Sequence, residues 1–215
     1  MKNILLRNLE AVFLDFDGTV LDSADIKTQA FHELYLPYGL DIAKKAQELH
    51  INSQGVSRYK KFKEIHKRYL NKECAKEESD ILSQKFSNIV FQKVVECFFI
   101  EGALEFLEKM QSIKVPVFLL SATPNDELRE ICDRRKIAHF FKEILGSPYE
   151  KASSAERLVK EYQFDPAKVI FVGDSLSDFN AAAFVGVSFI GLVTKGHLNP
   201  FVASSCCIES FRDLL

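Results

Sequence analysis

Four short stretches of this chain concentrate residue types that do chemistry. Asp15-Phe16-Asp17-Gly18-Thr19 sets two carboxylates two positions apart, and Ser121-Ala122-Thr123-Pro124 offers a hydroxyl. Lys151 offers an ammonium, and Gly173-Asp174-Ser175-Leu176-Ser177-Asp178 adds two more carboxylates. Carboxylates gathered in one place repel one another and push some of their pKa values upward. A hard divalent cation removes that conflict, and Mg²⁺ takes oxygen ligands from one or two carboxylates together with substrate phosphate and water. A lysine beside them supplies further positive charge. Charge neutralisation, in-line positioning and a nucleophile are what phosphoryl transfer requires. Gly18 breaks the strand and lets the backbone approach an anion. Thr123-Pro124 has the form of a helix N-cap with proline at the first helical position, whose amides could help hold a phosphate.

The elements that must position these groups follow from the apolar runs. Residues 11–16 (AVFLDF), 115–120, 141–145, 169–172 (VIFV) and 187–192 read as buried strands. Helical patterns lie between them at 103–112, 125–135, 152–162 and 179–184, and a short helix-strand-helix tail follows, with Cys206-Cys207 in a buried strand. Alternating strands and helices imply an α/β fold, a Rossmann-like parallel sheet with helices on both faces. Ligands of such sheets bind at the carboxyl ends of the strands, which is where all four stretches fall. Residues 22–99 differ in texture: helix-like, dense in Lys and Glu, with breakers only around Pro37-Tyr38-Gly39 and at Gly55. They read as an inserted all-helical cap domain, leaving 1–21 and 100–215 as the catalytic core.

The bulk properties exclude several classes. At 215 residues, 47% hydrophobic and 27% charged, the chain suits one globular domain carrying a smaller insert. Its 19 Phe sit inside apolar periodic runs and read as core filling. A net charge of −2 gives no general drive toward nucleic acid or an anionic membrane. Five cysteines without a CxxC pair argue against a disulfide framework or a zinc site and for a reducing compartment. The first apolar run is cut by Arg7 and Glu10, too early for a signal-peptide core, and no stretch is long enough to span a membrane. The expectation is a cytoplasmic protein, a monomer or weak dimer, acting on a small phosphorylated molecule.

In order, and each at a strand end, Asp-Phe-Asp-Gly-Thr, Ser121, Lys151 and Gly-Asp-Ser-Leu-Ser-Asp resemble the four motifs of the haloacid dehalogenase-like hydrolases, over residues 11 to about 192. The helical insert is similar to the first type of cap in that family, as in its phosphoglycolate phosphatase and β-phosphoglucomutase-like subgroup. The resemblance implies that Asp15 attacks phosphorus and forms an aspartyl-phosphate. Asp17 then protonates the leaving oxygen and later deprotonates the water. It further implies Mg²⁺ held by Asp15, the Asp17 backbone carbonyl and Asp174, with Asp178 orienting the metal shell or Lys151. Ser121 and Lys151 would grip the phosphoryl oxygens, and Gly18, Thr19 and Ala122 would lie against the substrate. Asp178 also fits the N-cap of a helix starting at Phe179. An aspartate at position 17 favours phosphate esters, because the family's dehalogenases and phosphonatases lack it.

Within the insert, Gly55-Val56-Ser57-Arg58 resembles a cap loop of β-phosphoglucomutase-like members in which the arginine meets a distal anion of the substrate. The plainer alternative makes Arg58 a solvated helix-end residue. Lys60, Lys61 and Lys63 read as a solvated face, and His32, His50 and His66 as surface or packing residues without metal-ligand spacing. Three functions compete: a Mg²⁺-dependent phosphatase of a small sugar phosphate or phosphorylated acid, a phosphosugar mutase, and a non-catalytic binding protein on the same scaffold.

Overall fold

Period-2 alternation sorts the first strand between two cores. Val12 and Leu14 join one buried cluster with the insert, and Ala11 and Phe13 join the other on the opposite face. The computed structural model describes residues 8–196, 199–201 and 206–215. Six strands, β1 (Ala11–Leu14), β2 (Val117–Pro124), β3 (Phe141–Ser147), β4 (Val169–Gly173), β5 (Ser188–Leu192) and β6 (Cys206–Ile208), form one sheet in the order β3-β2-β1-β4-β5-β6. Every neighbouring pair is parallel. The chain winds outward from β1 through β2 and β3, then crosses back to β4, so the strand order reverses around β1. That reversal opens the crevice in which such sheets bind ligands.

Helices cover both faces. Four of them, α1 (Ala24–Tyr35), α2 (Leu40–Ile51), α3 (Arg58–Tyr69) and α4 (Lys76–Glu96), lie between β1 and β2 and precede α5 (Ala103–Ser112). The others are α6 (Asn125–Arg134), α7 (Lys151–Glu161) and α8 (Leu176–Val185). Among the described residues no helix is long and apolar enough to cross a membrane. Phe13 meets Phe118 and Phe171 edge-on at ring-centre distances of 5.6 and 6.1 Å beneath α7 and α8. These phenylalanines fill the core, as the apolar runs imply, whereas Phe98 and Phe184 are exposed.

The expected elements are present with shifted ends. β1 stops at Leu14 because Asp15 begins a tight turn in which the Phe16 carbonyl accepts hydrogen bonds from the amides of Thr19, Val20 and Leu21. β2 runs on to Pro124 through an irregularity after Leu120. A helix expected between Leu192 and Cys206 falls partly outside the described residues. Cys206 and Cys207 do form a strand, half-buried and not buried.

The insert is closed down on the strand ends. Arg58, at the start of α3, donates two hydrogen bonds to Glu127 on α6, Nη1 to Oε2 at 3.0 Å and Nη2 to Oε1 at 2.7 Å. Arg58 Nη1 also donates to Ser87 Oγ at 2.7 Å, and its guanidinium lies 4.5 Å from the centre of the Phe86 ring. It is thus not a solvated helix end: it is buried in a bridge between insert and core. Gly55, at φ +74, passes so close to the β4–α8 turn that a Cβ there would stand 2.4 Å from Ser175 Oγ and 2.6 Å from Ser177 Cβ. Removing one partner of a buried, bidentate ion pair leaves an uncompensated charge. Glu127→Ala is therefore expected to lower the unfolding free energy by about 3 kcal/mol, read by urea denaturation. A loss under about 0.5 kcal/mol would show that the bridge contributes nothing.

Candidate active site

The strand-end residues converge, and a single ammonium ties two of the carboxylates together. Lys151, the first residue of α7, is buried with Nζ 2.8 Å from Asp15 Oδ1 and 2.6 Å from Asp178 Oδ1. Burial by itself would lower the Lys151 pKa, but the two carboxylates outweigh it and hold the ammonium above its ordinary range. The other oxygen of Asp178 accepts from the Ser175 amide at 3.2 Å and from Ser175 Oγ at 2.6 Å. Asp178 is the third residue of α8, in a reciprocal capping box with Ser175 at the N-cap. It is therefore not the N-cap of a helix starting at Phe179. It closes the cap and steadies Lys151 at once.

Asp17 stands in a different environment. Ser23 Oγ donates to its Oδ1 at 2.7 Å and Thr123 Oγ1 to its Oδ2 at 2.8 Å, while Lys27 of α1 pairs with the same Oδ2 and also donates to Thr123 Oγ1 at 2.7 Å. Burial pushes the Asp17 carboxyl up, yet Lys27 and the two hydroxyls together bring it below its usual range. Thr123 accordingly does not cap α6, as its place before Pro124 suggests. The helix begins at Asn125 without a side-chain cap, and the hydroxyl is spent on Asp17. Ser121 is buried and its Oγ accepts from the Thr123 amide at 3.1 Å.

Asp15 is pushed up to about 7, chiefly by burial and then by the charge of Asp178, against the pull of Lys151. Asp174 is raised well above its usual range by burial and by Asp15. Oxygens of Asp15, Asp174 and Asp178 lie within 4.8 Å of one another. Three of the four carboxylates (Asp15, Asp17, Asp178) pair with two ammoniums (Lys27, Lys151) and, among the described residues, Asp174 pairs with none, so ionising all four would leave two negative charges over. That excess, and two carboxyls that cannot comfortably ionise, suit a hard divalent cation. Asp15 and Asp174 have an oxygen to spare for it, whereas both oxygens of Asp178 are already engaged. Gly18, at φ +78, brings its backbone against Asp174: a Cβ there would lie 2.2 Å from Asp174 Oδ2.

Asp15, Asp17, Asp174, Ala122 and Arg58 line one small cavity of about 60 Å³ beneath the insert, joined by Lys27, Phe31, His50, Gly55, Lys61 and Thr123. Ser121, Ala122 and Lys151 also face a wider groove of about 1440 Å³ between insert and core, open to solvent. Thr19 lines neither. It is buried, with no hydrogen-bond partner for its Oγ1 among the described residues. Lys60 and Lys63 are solvated as expected, but Lys61 is not: only 3% of it is exposed, and it faces the cavity. His66 is a buried packing residue as expected, whereas His50 is buried against the cavity.

Sequence reasoning missed Lys27, His50, Lys61 and Glu127, and it misassigned Thr123. A signal did exist for two of them. Ala24, Lys27 and Phe31 share one face of α1, and Arg58, Lys61, Phe62 and Ile65 share one of α3, so each lysine interrupts an apolar stripe. Glu127 had none, because its partner is 69 positions away.

The chain is similar to several known proteins. A curated relative, the 6-phosphogluconate phosphatase of Escherichia coli K12, is 23% identical over 92% of this chain and 88% of its own length. Phosphoglycolate phosphatase 1 of Pseudomonas aeruginosa is 25% identical over 95% of this chain and 78% of its own. Among solved structures, the β-phosphoglucomutase of Clostridium difficile superposes with a TM-score of 0.77 at 19% identity, covering 96% of this chain and 93% of that one, a likeness of fold. The model of the haloacid dehalogenase-like hydrolases matches residues 12–192, from the second residue of β1 to the last of β5. With that match across every strand end that carries a site residue, the chain belongs to the haloacid dehalogenase-like hydrolase family.

Proposed function

We propose that this hydrolase is a Mg²⁺-dependent phosphatase of a small phosphate monoester, with residues 22–99 acting as a cap over a core of 1–21 and 100–215. The observation that carries the reading is Lys151 held between Asp15 and Asp178, with Asp15, Asp17 and Asp174 lining one cavity. Two curated relatives whose names describe phosphatases support the reaction type. When bound, Mg²⁺ neutralises Asp15 and Asp174 and the phosphoryl oxygens; Asp15, the Asp17 carbonyl and Asp174 are the residues to hold it.

In this reading an Asp15 oxygen attacks phosphorus, the ester P–O bond breaks, and the leaving alkoxide takes a proton by way of Asp17. Water then attacks the aspartyl-phosphate, Asp17 accepts its proton, and phosphate leaves with Asp15 restored. Lys27, Ser23 and Thr123 fix Asp17 as a carboxylate in the ligand-free protein, ready as the base of the second step; the proton of the first step enters with a singly protonated ester. Lys151 and Ser121 steady the phosphoryl oxygens, and Asp178 keeps Lys151 in place. Arg58 is engaged by Glu127, so its part is to hold the cap shut over the ligand.

Phosphate release from a panel of short phosphorylated metabolites should require Mg²⁺, stop in EDTA, and fall by at least about 10³-fold in Asp15→Asn, as for loss of a covalent nucleophile. Activity that survives Asp15→Asn would refute the assigned nucleophile. The metal has a second readout. The Asp15 carboxyl is raised in the fold, so the folded state keeps a proton that the unfolded chain gives up near its ordinary pKa. The metal-free protein therefore loses stability as pH climbs from about 4 to about 7. Mg²⁺ replaces the proton, so saturating Mg²⁺ should raise the melting temperature strongly near about pH 8 and hardly at about pH 5. An equal rise at both would rule out binding through Asp15.

A further inference from the structure

The end of the insert formed by the last turns of α1 and α3 holds a cluster that the phosphoryl chemistry does not use. Among the described residues, the buried side-chain polar atoms without a hydrogen-bond partner are Thr19 Oγ1, Tyr35 Oη, Ser79 Oγ and both ring nitrogens of His66. All but the first belong to this end: Tyr35 closes α1, His66 lies in the last turn of α3, and Ser79 lies in the first turn of α4. The His66 ring is fully buried, edge-on to the rings of Tyr35 at 5.9 Å and Tyr38 at 6.0 Å. Packing accounts for that burial but not for two bare nitrogens, since buried polar groups are as a rule hydrogen-bonded. His50 shows the contrast: its Nδ1 meets Lys61 Nζ at 2.8 Å, and burial together with the charge of Lys61 holds it neutral.

A thiol and a carboxylate stand beside that imidazole. One ligand atom each of His66, Cys74 and Glu78 lie within 4.8 Å of one another. Glu78 Oε2 is 3.5 Å from His66 Nδ1, and Oε1 accepts a hydrogen bond from Lys72 at 2.8 Å, which orients the carboxylate. We propose that His66, Cys74 and Glu78 bind a borderline-soft divalent cation, Zn²⁺ by preference, in a structural site that fastens the end of α3 to the start of α4. Imidazole and thiolate suit Zn²⁺ and not Mg²⁺, and one thiolate with one carboxylate cancels its two charges. Bonds of about 2.0–2.3 Å at tetrahedral angles set ligand atoms about 3.5 Å apart, so the three draw in by about 1 Å on binding. Cys74, in the connecting segment between the helices, and the half-exposed Glu78 have the freedom to do so. A water in the fourth position would give the bare hydroxyls of Tyr35 and Ser79 a partner. His66 stands eight residues beyond Arg58, about 12 Å along α3, and none of the three lines the catalytic cavity. Their spacing follows no zinc motif; the turn between two helices makes the cluster.

The test uses the full chain, stripped with EDTA and then saturated with Mg²⁺ so that the catalytic carboxylates are occupied, and titrated with Co²⁺ as a spectroscopic stand-in for Zn²⁺. One equivalent should bring up a near-ultraviolet thiolate-to-cobalt charge-transfer band and the visible bands of a four-coordinate ion, and Zn²⁺ should displace both. A cation held by the catalytic carboxylates has no sulfur ligand and gives no such charge-transfer band. Cys74→Ala should lose the band and bind Zn²⁺ at least about 100-fold more weakly, more than the loss of an outer partner costs. The double variant Cys206→Ala, Cys207→Ala should keep the band. Glu78→Gln, at a half-exposed position where the fold does not depend on the charge, should weaken Zn²⁺ by at least about 10-fold. Zn²⁺ should also raise the melting temperature of the Mg²⁺-saturated wild type and leave that of Cys74→Ala unmoved. Absence of a thiolate band in excess Co²⁺, a band that survives Cys74→Ala, or a Zn²⁺ affinity indifferent to Glu78→Gln overturns the site. None of these readouts requires turnover, so they stand or fall apart from the phosphatase reading.

Discussion

Burying several carboxylates at the end of an apolar sheet is the constraint to which the rest of this molecule answers. Ionised groups do not leave water without partners, and here the partners come from distant parts of the chain: Lys151 from α7 for Asp15 and Asp178, Lys27 from α1 for Asp17. Neither lysine is free to move without stranding a carboxylate. The first turn of α8 is fixed by the same network, because the Asp178 that holds Lys151 also closes the capping box with Ser175. Structure and chemistry thus share one set of contacts. The negative charge that these ammoniums leave uncancelled suits a hard divalent cation.

The environment separates chemically similar groups. Asp15 and Asp17 are two residues apart, yet one is raised to about 7 and the other lowered. The difference lies in their neighbours: Asp15 feels another carboxylate across the site, and Asp17 is ringed by an ammonium and two hydroxyls. Divergent environments of this kind assign different roles to like residues. The lysines show the same principle. Lys151 between two carboxylates is held charged, whereas Lys61 beside a neutral imidazole is brought down to about 7.

Closure of the insert depends on close approach as much as on attraction. Gly55 lets the loop before α3 lie on the β4–α8 turn, and Arg58 three residues later fastens it to α6. The cavity beneath the insert is small, while the wider groove runs past Ser121 and Lys151. A hydrolase working through a covalent intermediate needs a site that can both close and open, since water must be kept out during the first attack and admitted afterwards.

What the sequence determined by itself was whatever local pattern controls. Apolar runs specified five of the six parallel strands, and the parallel topology required their carboxyl ends to share an edge, so Asp15, Asp17, Ser121, Lys151 and Asp174 could be assembled on paper. The strand ends slipped by a residue or two because turns such as that at Phe16 are set by backbone hydrogen bonding and not by hydrophobicity. Only the tertiary structure decided which charges meet. Thr123 looked like a cap until Asp17 claimed its hydroxyl, Arg58 looked like a ligand grip until Glu127 arrived from 69 positions away, and Lys61 looked solvated until α1 and α2 closed over it. Pairings between residues far apart in sequence leave no periodic trace. A charged side chain on an apolar helical stripe announces that it is buried, but the group that it faces exists only once the chain has folded.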